Sequence, residues 1–271
     1  MSLLEIKSLY KHFGGVKAVD GVDYQVDAGE VVSVIGPNGA GKTTLFNVVT
    51  GFNAPDSGEI IFDGQRVDGL KPNQITLVGI ARTFQAVRLF PNMTVIENVM
   101  VGQHPRTRSG LTGAILGLPR TRKEEKAITA KAREILGFFG DAFPSSTEDE
   151  YAGSLSYADR RRLEIGRAMA TEPKLLLLDE PTAGMNPAET EGLTKLIGRL
   201  RDERGLTVVV IEHDMRLVKG VSDRVTALDY GQKIAEGTYA EVASNPQVIE
   251  AYLGKRDDDE ATAPAQPAEK A

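Results

Sequence analysis

The chain has 271 residues, enough for one or two domains with a sizeable core. Hydrophobic residues make up 41% of it and charged residues 26%, as in ordinary soluble globular proteins. The net charge of −6 argues against a general nucleic-acid binder, because phosphate contacts require a basic face. The sequence contains no cysteine, which excludes a disulfide framework and a thiolate metal site.

The apolar segments of the chain are short. The N-terminus has no long apolar core behind basic residues, so it lacks the pattern of a secretion signal. The strongest apolar runs, VVSVIG, LLLLD and TVVVIE, are far shorter than the ~20 residues that a membrane-spanning helix needs. We therefore expect any association with a membrane to depend on a partner protein.

Strand patterns alternate with helical patterns in the first half of the chain. Short strands and turns are predicted for residues 3–30 and 58–67, and they indicate a small mixed sheet beside a main sheet. Residues 31–35 (VVSVI) are continuously apolar, which is typical of a buried strand in a parallel sheet. Residues 123–140 carry apolar side chains at helical spacing and predict an amphipathic helix.

The second half predicts a β-α-β unit. Residues 175–178 (LLLL) and 207–211 (TVVVI) have the pattern of two buried parallel strands. The helix between them is expected to begin after Asn186, with a proline in its first turn and Glu189 completing the cap. Gly205 is expected to end it. This alternation predicts an α/β fold.

The C-terminal part predicts a hairpin followed by a tail. Residues 224–237 form two strand patterns, and the turn between them is expected at Tyr230-Gly231. Residues 255–271 are acidic and rich in alanine and proline, so we expect them to be disordered.

A phosphate-binding loop is the most specific motif in the sequence. GPNGAGKTT fits the pattern G-x-x-x-x-G-K-[ST] and lies between an apolar strand and the start of a helix. In that context, backbone N–H groups point at phosphate oxygens, Lys42 reaches the β- and γ-phosphates, and Thr43 ligates Mg²⁺. A chance glycine-rich turn is the alternative, and the strand and helix context argues against it. The predicted nucleotide contacts of the loop are Gly36, Pro37, Asn38, Gly39, Ala40, Gly41, Lys42, Thr43 and Thr44.

A strand that ends in two carboxylates is the expected companion of such a loop. The strand at 175–178 delivers Asp179 to the outer shell of the metal and places Glu180 beside it. A carboxylate at Glu180 can orient and polarise an attacking water. The alternative is a core strand that ends in a charged turn. Because a phosphate loop precedes it on a parallel strand, the sequence favours an ATPase with Glu180 as general base.

With these motifs and four further residues, residues 3–254 resemble the ATP-binding subunit of an ABC transporter. Phe13 stands where this family stacks an aromatic ring on adenine. Gln85, in RTFQ, matches the glutamine that contacts Mg²⁺ and senses nucleotide. Ser156 matches the signature serine, and His213, in VVVIEHD, matches the switch histidine that contacts the γ-phosphate. Each residue alone could have a purely structural role, but their order along the chain favours the family.

The resemblance implies a P-loop NTPase fold. Its parts would be a RecA-like parallel-sheet core, a small antiparallel β-subdomain and an inserted helical subdomain. The ATPase domain would cover residues 1–254, followed by the tail at 255–271. The core would consist of residues 1–85 and 166–254, and the helical subdomain of about 86–165.

A narrower set of segments resembles the LivG-type ATPases. These segments are GIARTFQAVRLFPNMTVIENVMVGQH, the signature segment LSYxxxRRLEIxRAM, PTAGMNPAET, IEHDMRLV and NPQVIEAYLG. Such proteins serve high-affinity uptake of branched-chain amino acids, and a similar branch serves urea or short amides. The resemblance implies an ATPase that uses ATP and Mg²⁺ on the cytoplasmic face of a bacterial plasma membrane. Its expected partners are a LivF-type ATPase in a heterodimer, two membrane permeases and, indirectly, a periplasmic or extracellular substrate-binding protein.

The signature segment LSYADRRRLE, residues 155–164, departs from the Leu-Ser-Gly-Gly-Gln of the family. Ser156-x-x-Asp159 fits a helix capping box, so we expect Ser156 to cap and Asp159 to reach back to its backbone N–H. Ala158 can offer its backbone N–H to a γ-phosphate only if its φ is negative. The arginines at 160–162 are expected to offset part of the Asp159 charge. The segment predicts a weakened but usable signature, and a decayed contact is the alternative.

Two other segments bear on partners. Residues 86–99 (AVRLFPNMTVIENV) are expected to line a groove for a short cytoplasmic permease helix. Residues 106–123 place basic residues on both sides of an apolar middle, which indicates either a solvated loop or a contact with the permease or anionic lipid. A soluble ABC ATPase of translation or DNA repair and a non-hydrolysing regulatory ATP binder are the rival functions. The single ATPase module disfavours the first, and the retained Glu180 disfavours the second.

Overall fold

The computed structural model describes residues 2–107 and 119–253, and only the backbone of residues 119–121. The tail at 255–271 and most of the basic-apolar-basic segment at 106–123 lie outside the described residues. The strands are β1 (Ser2–Phe13), β2 (Val16–Asp27), β3 (Val31–Ile35), β4 (Ser57–Phe62), β5 (Gln65–Arg66), β6 (Ile80–Arg82), β7 (Leu175–Asp179), β8 (Thr207–Ile211), β9 (Arg224–Asp229) and β10 (Gln232–Gly237). The helices are α1 (Lys42–Val49), α2 (Pro72–Val78), α3 (Val95–Gly102), α4 (Pro119–Phe138), α5 (Tyr157–Met169), α6 (Pro187–Arg204), α7 (Met215–Val221), α8 (Tyr239–Ala243) and α9 (Pro246–Leu253).

The main sheet has six described strands in the order β10-β9-β3-β8-β7-β6. The five strands from β9 to β6 pair in parallel, and β10 is an antiparallel edge strand. All five residues of β3, β7 and β8 are buried, as the continuous apolar runs predicted. The predicted parallel-sheet core of a P-loop NTPase is therefore confirmed.

Successive residues of the central strands enter two different cores. Leu176 and Leu178 of β7 face a cluster formed with the helices α3 to α6, whereas Leu175 and Leu177 face a cluster formed with α1 and the N-terminal sheet. This alternation follows from the pleat of a strand, which sends neighbouring side chains to opposite faces. The sheet is therefore the middle layer of three.

The N-terminal sheet has four strands in the order β2-β1-β4-β5, and all of its described ladders are antiparallel. The prediction of a mixed sheet was wrong in this respect, and the antiparallel β-subdomain implied by the resemblance is confirmed. β1 and β2 are also long, with 12 residues each, because the two strands pair along their whole length.

Helices α3, α4 and α5 pack on one another beside the main sheet. α4 spans Pro119–Phe138, so the helix predicted for residues 123–140 begins four residues earlier and ends two residues earlier. α5 runs without interruption to Met169, across the proposed division between residues 165 and 166. The helical layer is thus continuous with the core, and the subdomain limits remain a prediction.

The predicted local signals at helix and hairpin ends are confirmed. The side chain of Asn186 accepts from the N–H groups of Ala188 and Glu189, and Gly205 ends α6 with φ 63°. The turn between β9 and β10 places Tyr230 at φ 42° and Gly231 at φ 78°. Two adjacent residues with positive φ match the right-handed twist of a hairpin.

Candidate nucleotide-binding site

The phosphate loop joins the end of β3 to the start of α1, and two of its glycines are required by close backbone contacts. Gly36 has φ 147°, and a Cβ there would lie 2.1 Å from the carbonyl oxygen of Leu228. Gly41 has φ 100°, and a Cβ there would lie 2.2 Å from the carbonyl oxygen of Ala18. The loop is therefore held between β9 on one side and β2 on the other, and any side chain at these positions would displace it.

The Lys42 ammonium lies inside the loop. Its Nζ donates to the carbonyl oxygens of Gly36 at 2.6 Å and Pro37 at 2.9 Å. Burial lowers the pKa of Lys42, while the charges of Glu180 and Asp179 oppose this shift. The exposed Thr43 and the half-buried Thr44 follow in the first turn of α1. The ammonium, the hydroxyls and the N-terminal end of α1 form a cradle whose donors suit phosphate oxygens.

Phe13 ends β1 near this cradle. Its ring is 47% exposed, and the Lys11 ammonium lies 5.3 Å from the ring centroid. The neighbouring strand β2 places Ala18 against Gly41 of the loop. An exposed ring on the hairpin that flanks a phosphate loop is available for stacking on a planar base.

Asp179 ends β7 and forms a buried ion pair that sequence reasoning missed. Its Oδ2 accepts from Nη2 of Arg82 at 2.6 Å, and both side chains are almost completely buried. Nη1 of Arg82 also donates to Oδ1 of Asn47 on α1, at 2.7 Å. Arg82 therefore ties three elements, β6, β7 and α1, at the base of the phosphate loop.

Three predicted residues meet at the carboxylate of Glu180. Nε2 of His213 lies 3.0 Å from Oε1 of Glu180, and Nε2 of Gln85 donates to Oε2 at 2.7 Å. Glu180 has φ 46°, in the left-handed region that costs a non-glycine residue about 1–3 kcal/mol. Its backbone N–H is held by the carbonyl oxygen of Ile211 at 2.9 Å. The side-chain contacts therefore hold both carboxylate oxygens, and the bond to Ile211 helps to hold the backbone at its unfavourable φ.

A second buried carboxylate, Glu212, positions the residues on both sides of Glu180. Its Oε1 accepts from the N–H of Thr182 at 2.9 Å and from the Thr182 hydroxyl. Its Oε2 accepts from the N–H groups of His213 at 2.7 Å and Asp214 at 3.1 Å. Sequence reasoning missed this role, although a charged residue that ends the apolar run VVVIE was the available signal.

Arg161 connects the signature helix to the segment that carries Gln85. Its side chain is fully buried and donates to the carbonyl oxygens of Phe84 at 2.6 Å and Gln85 at 2.7 Å. It also pairs with Glu164 at 3.0 Å, and Glu164 accepts from the N–H of Arg88 at 3.1 Å. Sequence reasoning missed this connection because nothing in the run of three arginines shows which one is buried.

The signature segment differs from the expected capping box. Ser156 Oγ does accept from the N–H of Asp159 at 3.1 Å, but Asp159 Oδ2 accepts the Ser156 hydroxyl at 2.7 Å instead of reaching the Ser156 backbone. Arg162 alone of the three arginines pairs with Asp159, at 2.6 Å. The other two arginines have different partners. Arg161 is buried against the carbonyl oxygens of Phe84 and Gln85, and the guanidinium carbon of Arg160 lies 5.9 Å from the centroid of the Tyr157 ring.

The backbone of Ala158 has the negative φ that a contact between its N–H and a γ-phosphate would require. It is buried in the first turn of α5, and its φ is not among the positive values of the described residues. Its N–H therefore has the orientation of a helix N-terminus. A ligand that reaches this end of α5 would meet the N–H together with a serine hydroxyl already bonded to a carboxylate.

Comparison with known proteins shows the family to which the chain belongs. The ABC transporter family model matches residues 19–183, and a model described as branched-chain amino acid ATP-binding cassette transporter matches residues 232–258. The chain is 45% identical over 253 residues to the high-affinity branched-chain amino acid transport ATP-binding protein LivG of Escherichia coli, covering 93% of this chain and 98% of that protein. It is 44% identical over 253 residues to BraF of Pseudomonas aeruginosa, with the same coverage.

Solved structures show the same fold. A nucleotide-free ATP-binding cassette from an ABC transporter superposes with a TM-score of 0.81 at 36% identity, covering 94% of this chain and 100% of that one. An ATP-binding cassette in its ADP conformation gives the same values. The chain belongs to the ABC transporter family, as an ATP-binding subunit. Within that family its similarity is to the LivG and BraF proteins, as the signature and C-terminal segments indicated.

The buried ion pair at the base of the loop gives a testable prediction. Arg82→Met leaves Asp179 buried without its partner, so we expect the free energy of unfolding to fall by about 3–5 kcal/mol. The double variant Arg82→Met/Asp179→Leu removes both charges and should be closer to the unmodified chain in stability. Urea denaturation followed by circular dichroism measures both. Equal stability of Arg82→Met and the unmodified chain would contradict the assignment.

Proposed function

We propose that this chain binds and hydrolyses ATP as the nucleotide-binding subunit of an importer for branched-chain amino acids, with urea or short amides as the alternative solutes. The single observation that carries the hydrolytic part is the Glu180 carboxylate, held by Gln85 and His213. The solute is inferred from the relatives, because LivG and BraF are named for branched-chain amino acid transport.

The proposed chemistry uses the residues as the site places them. Lys42 and the backbone N–H groups of the loop bind the phosphates, and Phe13 stacks on the adenine. Glu180 orients a water and accepts its proton as that water attacks the terminal phosphorus. His213 holds one oxygen of Glu180 and contacts the terminal phosphate, and Gln85 holds the other oxygen.

The donors of this site fit Mg²⁺, which would neutralise charge on the phosphate oxygens. Thr43 offers a hydroxyl, Asp179 a carboxylate for the outer shell, and Gln85 an amide oxygen, because its amide nitrogen is the atom bonded to Glu180. The described residues contain no group of three or more histidine or acidic side chains that could hold a metal ion. Mg²⁺ in nucleotide sites needs only one or two protein oxygens besides phosphates and water, so this donor set is sufficient.

The proposed assembly requires a second ATPase chain. This chain carries one phosphate loop and one signature segment, and the family resemblance places ATP between the loop of one subunit and the signature of another. We propose a LivF-type ATPase as the heterodimer partner, with two permeases and a periplasmic or extracellular substrate-binding protein. No helix of residues 2–107 or 119–253 is both long and apolar enough to cross a membrane. From the transport role of its relatives, we propose that the chain lies on the cytoplasmic face of the plasma membrane, bound to the permeases.

A groove of about 350 Å³ provides the proposed permease contact. Its lining includes Phe90 from the predicted segment 86–99, together with Val101, Pro105 and Arg167. Arg82 and Glu164 also border it, but both side chains are buried in ion pairs. The Phe90 ring is 47% exposed, yet Asn98 fixes its backbone by accepting from its N–H at 2.9 Å and donating to its carbonyl at 3.1 Å. A fixed, exposed aromatic ring in a groove suits a short amphipathic helix of a partner.

Glu180→Gln tests the hydrolytic assignment. We expect ATP binding to persist and the steady-state ATPase rate of the assembled complex to fall by at least about 100-fold, because an amide cannot accept the proton. Glu191→Gln removes an exposed carboxylate on α6 and is the matched control. A normal rate in Glu180→Gln would refute the role of Glu180. An unmodified complex that binds ATP without hydrolysing it would favour the regulatory alternative.

Phe90→Ser tests the permease contact. We expect less permease to co-purify with a tagged variant chain while ATP binding is unchanged, because the substitution removes the ring and keeps the Asn98 contacts of the backbone. Ile249→Ser is the control, because it also replaces an exposed apolar side chain with serine but lies on α9, away from the groove. Full permease recovery with Phe90→Ser would contradict the groove assignment. Recovery of ribosomes or DNA in place of permeases would favour the soluble rivals.

The double variant Ala158→Gly/Asp159→Gln tests the altered signature. It frees the Ser156 hydroxyl from a carboxylate and removes a negative charge near the polyphosphate. We expect the ATPase rate of the assembled complex to rise about two- to fivefold. Removing the repulsion of a partly exposed charge should lower the activation free energy by an amount that corresponds to this factor. Asp141→Asn removes a charge from the same cleft without touching Ser156 and is the control. An unchanged or lower rate in the double variant would count against a weakened signature.

A further inference from the structure

The C-terminal helix α9 contacts the phosphate loop through one hydroxyl. The N–H of Gly36, the first residue of the loop, donates to Oη of Tyr252 at 2.8 Å. Tyr252 belongs to the segment at 232–258 that the branched-chain amino acid cassette model matches. None of the catalytic or nucleotide roles proposed above uses this segment.

Gly36 is held at each of its backbone groups. Its N–H donates to Tyr252, its carbonyl oxygen accepts from Lys42 at 2.6 Å, and its Cα faces the carbonyl oxygen of Leu228. Gly36 also directly follows Ile35, the last residue of the buried strand β3. A change in the direction of its N–H would rotate the peptide group that begins the phosphate cradle.

α9 is itself fixed at the end of β3. Val248 of α9 is buried in a cluster with Ile35, the residue before Gly36, and with Val225 and Ala227 of β9. The helix that carries Tyr252 is therefore held by packing that includes the residue before the loop. Tyr252 is 42% exposed and its hydroxyl bond is partly buried. This partial burial raises the pKa of Tyr252, and the bond from Gly36 opposes that shift, so the hydroxyl is neutral at physiological pH.

We propose that Tyr252 is a positioning residue for the phosphate loop, so that the C-terminal helix sets the affinity of the chain for ATP. The hydroxyl keeps the peptide group of Gly36 in the orientation that directs the following N–H groups inward. Without it, a fraction of the molecules has a misaligned loop, and the apparent Kd rises by the reciprocal of the competent fraction. This inference rests on the proposed binding of ATP at the loop.

Tyr252→Phe tests the proposal, because it keeps the ring and its packing and removes only the acceptor. We expect the Kd for ATP of the full chain to rise about three- to tenfold. Tenfold is the upper limit, because it corresponds to the net free energy of about one hydrogen bond. In the assembled complex, KM for ATP should rise by a similar factor with kcat unchanged, because Glu180 and His213 are untouched. The thermal midpoint of unfolding without nucleotide should fall by no more than about five degrees, the effect of one lost hydrogen bond, if packing is intact.

Tyr230→Phe is the matched control. Tyr230 lies beside the same cleft as the loop and α9, is 83% exposed, and has no hydroxyl contact with Gly36. It should leave Kd, KM and kcat unchanged. A Kd for Tyr252→Phe equal to that of Tyr230→Phe would overturn the inference, as would a fall in kcat without a change in KM. Failure of the unmodified chain to bind ATP would instead refute the proposed function.

Discussion

The parallel register of β3, β8 and β7 is the constraint on which the site depends. Val34 pairs with Ile211, and Ile211 pairs with Asp179, so the three strands end at the same level. The carboxyl ends of parallel strands point to one edge of a sheet, and each strand here is followed by a functional segment. The phosphate loop follows β3, Glu180 follows β7, and His213 follows β8. A slip of one residue between β7 and β8 would separate Glu180 from His213 and turn the strand side chains to the other face.

Buried charges set the orientation of the groups that this edge brings together. Asp179 is held by Arg82, Arg161 pairs with Glu164, and Glu212 accepts from three backbone groups and one hydroxyl. Such groups lose their hydration on folding, and their attraction offsets that loss only if the geometry is good. Their main effect here is therefore positional. Because charged partners accept few alternative geometries, they fix the segments around Gln85 and Thr182 more firmly than apolar packing could.

The sequence predicted those features that depend on residues close together along the chain. The phosphate loop, the cap at Asn186 and the turn at Tyr230 are local patterns with local physical causes, and the structure contains all three. The convergence of Glu180 with Gln85 and His213 was expected only because the chain resembles a family, since 95 and 33 residues separate these pairs. Glu212, Arg161 and Tyr252 were not predicted. Their partners lie as far as 216 residues away, and a polar residue that is buried reads like a solvated one until the fold is known.

The same reasoning explains the error at the signature. A serine followed three residues later by an acidic residue fits a capping box, and the pattern alone does not say which donor the carboxylate will choose. Asp159 is one methylene shorter than the usual glutamate, and it accepts from the Ser156 hydroxyl and from Arg162 instead of the backbone. The residues of the proposed hydrolytic site therefore lie together around Glu180, whereas the hydroxyl of Ser156, which we propose faces a neighbouring chain, is already bonded to Asp159. In the proposed heterodimer, a partner that carries the usual Leu-Ser-Gly-Gly-Gln would make the two nucleotide sites chemically unequal before any nucleotide binds, and that inequality would originate in the short Asp159 side chain.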